Sequence, residues 1–432
     1  MEKDAFNREL LEFLQESCTP FHAVDALARR LESCGFRDLS GAAEWSQSPG
    51  DGGYYRQGGS LVAVRAGAGD LVTKGVRMVG AHTDSPCLMV KPSPELSNGG
   101  YQQLGIQVYG GALLNPWFDR DLSLAGRVSF AGSDGSVATA LVNFKDAIAV
   151  VPSLAIHLDR EANTSRTVNP QTDMAPILGL LQEDAPSLRE RLVKQLLEEG
   201  LDVGEVLDYE LSFYDCQAPA TVGIDGEFIA SARLDNLLSC YTGLRALQDC
   251  EPGQWAVLVC TDHEEVGSLS ASGAQGPLLR EFLRRLPGAP ASLAQLMSSS
   301  MLISADNAHG VHPNYADKHD PGHGPILNGG PVIKINASQR YASDSEGSAL
   351  FRLLAREENV PVQSFVVRAD MGCGSTIGPI SAGELGVTTL DIGVPTFAMH
   401  SIRELAGTDD AWMLYRVLRR FYARSGPLFE RG

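Results

Sequence analysis

An α/β sandwich interrupted by a β-rich insert is the architecture this chain predicts, and three observations predict it. Apolar runs of strand length recur with helix-patterned segments between them, the alternation that builds a sheet covered on both faces. Several of these runs end abruptly in histidine or acid. Between residues 93 and 229 the texture changes to glycine-rich β alternation.

The first 35 residues read as two helices. Phe6, Leu10, Phe13 and Leu14 recur at helical spacing. Thr19-Pro20 then supplies an N-cap and a first-turn proline, and Gly35 a terminator. Val24, Leu27, Ala28 and Leu31 line the buried face of the second helix. Residues 46–60, rich in Gly and Ser, read as a turn region. Strands are predicted at 61–65, 76–81, 256–261, 301–305, 363–368 and 387–392, with helices at 236–248 and 347–358. The insert carries YQQLGIQVYGG, LAGRVSFAG and GSVATALVNF, and one charged helix near 187–199. The expected domains are therefore 1–92 joined to 230–432, with 93–229 between them.

Composition excludes several classes. With 432 residues, 44% hydrophobic and 20% charged, the chain has material for a large core rather than a disordered ensemble. Subtracting 53 acidic from 35 basic residues gives −18, a field that repels nucleic acid and anionic membranes. No apolar run approaches the ~18 residues of a membrane span. MEKDAFNREL lacks the apolar core of a secretory signal, so a cytoplasmic location is expected. The eight cysteines form no C-x-x-C pair and read as free thiols in a reducing compartment.

The chemistry concentrates at strand ends. The run 76–81 leads into His82-Thr83-Asp84, 256–261 into Asp262-His263-Glu264-Glu265, and 301–305 into Asp306-Asn307-Ala308-His309. Ligands of open α/β sheets sit beyond the carboxyl ends of strands. His400, in FAMHS, follows the 387–392 strand, and Asp235 opens a helix in ARLDN. His82, Asp235, Glu265, Asp306 and His400 are imidazole and carboxylate donors, the set suited to zinc, manganese or cobalt. Five such groups suffice for two metals with one bridging carboxylate. Adjacent Glu264 and Glu265 allow one to ligate and the other to serve as general base. Asp84, two residues beyond His82, could orient that imidazole. Taken singly, each has an ordinary reading: a hydrogen-bonded histidine, a helix cap, a turn former, a solvated pair. HEEVG is not the helical zinc motif, since Gly267 stands where its second histidine belongs.

Together these residues resemble the aspartyl aminopeptidases, cocatalytic zinc peptidases that remove a preferably acidic N-terminal residue. The motifs are AHTDSP (81–86), WFDRDLSLAGRV (117–128), LAIHLDR (154–160), ARLDN (232–236), DHEEVGS (262–268), SADNAHGVHPNY (304–315), GPVIKINASQRYASD (330–344), DMGCGSTIGP (370–379) and MHSIRE (399–404). They cover essentially the whole chain. The resemblance implies a zinc-exopeptidase-like α/β/α sandwich with the insert as oligomerisation domain. It implies two zinc ions per subunit, with manganese or cobalt as substitutes, bridged by Asp235. His82 and Asp306 would complete one metal, Glu265 and His400 the other. Glu264 would activate a metal-bridging water, with Asp84 holding His82. His157 would contact substrate, although some family descriptions make it a zinc ligand; His309, Lys334 and Tyr341 are the remaining substrate contacts. Members form dodecamers in which the insert lends its histidine to a neighbour's site. The substrates implied are peptides with a free N-terminus. Alternatives are a cocatalytic metallohydrolase of other specificity, a neutral aminopeptidase or deacylase, and, more remotely, a non-enzymatic assembly protein. Lys334 interrupts the apolar run Pro331-Val332-Ile333-Lys334-Ile335; its ammonium needs a carboxylate partner, which an acidic substrate is expected to bring.

Overall fold

The computed structural model describes residues 1–42, 45, 48–251, 253–426 and 428–429. Positions 46 and 47 of the predicted turn region lie outside the described residues. By its contacts the chain forms two compact units. One comprises Met1–Asp84, Pro219–Met399 and Glu404–Gly432; the other comprises Ser85–Ala218 and His400–Arg403.

The first unit opens as its apolar spacing dictates. Lys3–Glu16 buries Phe6, Leu10, Phe13 and Leu14. Pro20–Ser33 starts at Thr19, whose side chain accepts the His22 N–H, and Gly35 follows at φ 81°, a left-handed exit that glycine takes without penalty. The turn reading of 46–60 needs correction. Gly52–Gln57 and Ser60–Arg65 form an antiparallel hairpin across most of it. Its glycines serve packing as well as turning: a Cβ on Gly52 would fall 2.5 Å from the Phe36 ring.

A nine-stranded sheet follows, in the order Arg37–Asp38, Gly52–Gln57, Ser60–Arg65, Trp255–Thr261, Val76–His82, Met301–Ala305, Thr388–Gly393, Val332–Ile335, Gln363–Val366. The fourth to seventh strands of that order are parallel, so their carboxyl ends share one rim. Side chains alternate between two cores, as the two-residue period requires. Leu61, Ala63, Val79, Ala81, Leu258 and Ile303 face helices Lys3–Glu16, Pro20–Ser33, Leu234–Asp249, Ser345–Glu357 and Asp410–Ala423. Val62, Val64, Met78, Val257, Val259 and Leu302 face Leu278–Arg284 and Leu293–Met297. Each fully buried aliphatic side chain contributes ~1.5–3 kcal/mol. Helices on both faces make this the predicted α/β/α sandwich. The strand predicted at 363–368 is shorter, and that at 387–392 lies one residue later.

A second sheet in this unit has five short strands: Ala220–Val222, Phe228–Ser231, Glu404–Gly407, Pro395–Phe397 and Ala308–His309. It fixes Glu404 opposite Ser231. The other unit is built on a six-stranded antiparallel sheet: Val137–Asn143, Leu122–Ala131, Glu205–Asp215, Cys87–Asn98, Tyr101–Tyr109, Ile177–Leu180. Helix Leu188–Glu198 starts in a capping box of Ser187 and Glu190. It joins Leu188, Leu192 and Leu196 to this unit's core. Among the described residues no helix is long and apolar enough to cross a membrane.

Candidate metal centre

Parallel register brings the strand-end residues together. Thr261 lies opposite His82, so Glu264 and Glu265 follow three and four residues beyond the same level. Met301–Ala305 pairs in parallel with the His82 strand, and Asp306 is the next residue. Asp235 comes from the opening of helix Leu234–Asp249, where it is not yet helical (φ −81°, ψ 106°).

His82 is the hub. Its Nε2 lies 3.3 Å from Asp235 Oδ1, 3.5 Å from Asp306 Oδ1 and 4.0 Å from Glu264 Oε2. On the other ring nitrogen, Nδ1 is 3.0 Å from the Asp84 carbonyl oxygen and 3.4 Å from Asp84 Oδ1. Within the first unit, two sets among the described residues offer donor atoms within 4.8 Å of one another: His82, Asp235, Asp306 and His82, Glu264, Glu265. His82, Asp235 and Asp306 are buried, and the two glutamates are half-buried.

So much acid in a dry place has electrostatic consequences. Burial, then the neighbouring Asp306, pushes the Asp235 carboxyl up to about 6. Burial raises Glu264 to about 8, with Asp306, Glu265 and Asp235 adding to it against His82. For Asp306 burial acts upward too, but Lys334 and His82 outweigh it and hold the carboxyl well below the usual range. Burial works to lower His82, yet hydrogen bonds to Asp235, Asp306 and Asp84 hold it well above the ordinary imidazole value. One imidazole facing crowded carboxylates, with no thiolate among the donors, is a set that fits zinc.

Lys334 is where the structure departs from expectation. Its ammonium is almost wholly buried, 3.2 Å from Asp306 Oδ2 and 3.2 Å from the Asn307 carbonyl oxygen. The carboxylate partner expected from a substrate is supplied by the chain itself. Physically, a fully buried ammonium requires compensation at all times, not only when substrate binds. Tyr341 presents its ring 5.1 Å from Lys334 Nζ. His309 and Tyr341 both face the Phe365 ring, at 5.7 and 6.5 Å between centroids.

The remaining candidates belong to the other unit. His400 lies there with Nδ1 3.1 Å from the Gly111 carbonyl oxygen. His157 is exposed in a turn of the same unit. Sequence reasoning missed Glu404, a buried carboxylate whose Oε2 accepts the Asp235 N–H at 2.9 Å. A lone acid in the strand Glu404–Gly407 was the available signal. It also missed Cys240, whose Sγ donates to the His82 carbonyl oxygen at 3.0 Å.

Residues 13–422 match the family model described as aminopeptidase I zinc metalloprotease (M18). The chain belongs to the M18 family of zinc aminopeptidases. This M18 aminopeptidase is accordingly a hydrolase and an exopeptidase. It is 57% identical over 425 residues to a probable M18 family aminopeptidase 2 of Pseudomonas syringae pv. tomato, covering 98% of this chain and 99% of that one. Among solved structures, it superposes on a chain of the Ape4 and Nbr1 complex with TM-score 0.93 and 36% identity, covering 98% and 86% of the two chains. S. cerevisiae mApe1, solved as a dodecamer, matches with TM-score 0.84 and 27% identity, covering 97% and 96%.

Proposed function

We propose that this M18 aminopeptidase removes acidic N-terminal residues from peptides, using two zinc ions and Glu264 as general base. The observation that carries the reading is the convergence of His82, Asp235, Glu264, Glu265 and Asp306 around one point, with Lys334 buried against Asp306. Asp235 would bridge the metals, His82 and Asp306 complete one, and Glu265 and His400 the other. Zinc, when bound, polarises the scissile carbonyl and acidifies water. Glu264, its Oε2 4.0 Å from His82 Nε2, takes a proton from the attacking water and returns it to the leaving amine. The acid-rich surroundings favour a substrate's α-ammonium, which limits cleavage to free N-termini.

Acidic preference would come from Lys334. An ammonium has three donors; two of them meet Asp306 and Asn307, and the third would meet a substrate carboxylate beside Tyr341 and His309. We further propose a cytoplasmic homo-oligomer, in keeping with the dodecameric yeast relative. The second unit would be the assembly module. Around His157, Leu154, Ile156 and Leu158 are 50%, 45% and 75% exposed, an apolar loop suited to docking on a neighbour and completing its site with His157. A panel of aminoacyl chromophores bearing Asp, Glu, Leu and Lys, with and without chelator, tests the reading. Faster hydrolysis of Leu or Lys substrates than of Asp or Glu would refute the acidic preference. Activity indifferent to chelator would refute the metal mechanism.

A further inference from the structure

The turn that presents Glu264 and Glu265 is an awkward piece of backbone. It is a single 3-10 turn, Glu264–Val266, entered through His263 at φ 64° and left through Gly267 at φ 97° and Ser268 at φ 61°. Left-handed non-glycine residues persist only where surrounding structure over-determines them. The first N–H groups of a helical turn also lack partners within it. Asp84 meets both needs. Wholly buried, it accepts the Glu264 N–H on Oδ1 at 3.1 Å and the Glu265 N–H on Oδ2 at 3.0 Å. Toward His82, by contrast, the nearer Asp84 atom is its backbone oxygen, at 3.0 Å against 3.4 Å for the carboxylate.

We propose that Asp84 is a positioning residue for Glu264 and Glu265, its carboxylate fixing their turn while its carbonyl oxygen orients His82. The inference rests on the two-metal reading above and changes what the side chain is for. A carboxylate offers an acceptor to each of two consecutive N–H groups. An asparagine offers one acceptor and turns an amide donor toward the other N–H, so the turn loosens while the carbonyl bond to His82 is untouched.

The test is a double-mutant comparison read in zinc affinity, measured on the full chain by competition with a chromophoric chelator. Asp84→Asn should weaken zinc binding. Combined with Glu265→Ala it should add little to the loss from Glu265→Ala alone, because the lost positioning has no ligand left to act on. Combined with His82→Ala the two fold-losses should come much closer to multiplying than with Glu265→Ala, the 3.4 Å approach of Asp84 Oδ1 to His82 leaving only a smaller coupling. The same Asp84→Asn enzyme should lose on the order of 10²-fold in kcat, the scale of a small misplacement of reacting groups. The reverse pattern, multiplication with Glu265→Ala and none with His82→Ala, overturns the inference, as does multiplication with both. If Asp84→Asn does not fold, Asp84→Ser carries the same comparison. A wild-type protein that binds no zinc overturns the two-metal reading itself, and that outcome is visible before any variant is made.

Discussion

Asp235 is asked to do more than any other side chain here. It is buried, it faces His82, and its backbone N–H is held by Glu404, which fixes the main chain from which its carboxylate projects. We expect Asp235→Asn and His400→Ala both to abolish activity mainly by lowering zinc content, since one would bridge the metals and the other anchor one. Metal analysis checks this; full zinc with full turnover in either variant removes that residue from the centre. Lys334 makes a sharper case because its ion pair with Asp306 gives it two possible tasks. Lys334→Met should raise KM for Asp and Glu substrates by roughly 10- to 100-fold, the scale of a lost charge-assisted hydrogen bond, and far less for Leu and Ala substrates. Equal losses on all four substrates would leave Lys334 only the task of holding Asp306.

At the scale of elements, loops in this fold are anchored by buried carboxylates that accept backbone N–H groups. Asp84 does so for the 264–265 turn. Asp391 accepts the Ala342 N–H at 2.6 Å and the Thr376 hydroxyl at 2.6 Å. Asp410 accepts N–H groups of Asn328 and Gly330 at 2.6 and 2.8 Å. Asp410 yields a pH prediction. Burial pushes its carboxyl from 3.8 up to about 7, against those two hydrogen bonds. Between these values the folded chain keeps a proton that the unfolded chain has released, so stability falls as pH rises through that window. Asp410→Asn should flatten this part of the stability curve, even though the variant starts less stable. Thermal melts of both proteins at pH 5 and pH 7 decide it; an unchanged slope would show that Asp410 is ionised throughout.

For the whole molecule the question is whether one chain suffices for activity. If His157 serves a neighbouring subunit, His157→Ala and Glu264→Gln each inactivate a homo-oligomer, yet mixed assemblies regain sites holding both intact residues. His157→Ala alone should keep its zinc and lose on the order of 10²–10³ in turnover, the cost of a missing oxyanion donor. Refolding the two variants together should then restore part of the activity. Mixed oligomers that form but stay inactive would place His157 in its own subunit's site or outside catalysis, and zinc loss in His157→Ala would make it a ligand.

The sequence by itself determined the layers and the ligand types. Apolar strands buried on both faces have no polar face to hide, so Trp255–Thr261 shows as a continuous apolar run and Val76–His82 as one broken only by Arg77, and the histidine and acids that follow them stand out. It was less informative where packing rather than period sets the structure. Gly52–Gln57 looked like turn because of its leading glycines, of which Gly52 makes room for Phe36. Ile377–Leu385 was not read as a helix, since IGPISAGEL shows no apolar stripe. Only the tertiary structure could decide what each polar group faces. Lys334 pairs with Asp306 across 28 residues, Glu404 holds Asp235 across 169, and Asp84 caps a turn 180 residues away. A residue's type limits the bonds it can make, but the pairing and register of strands from distant parts of the chain choose the partner.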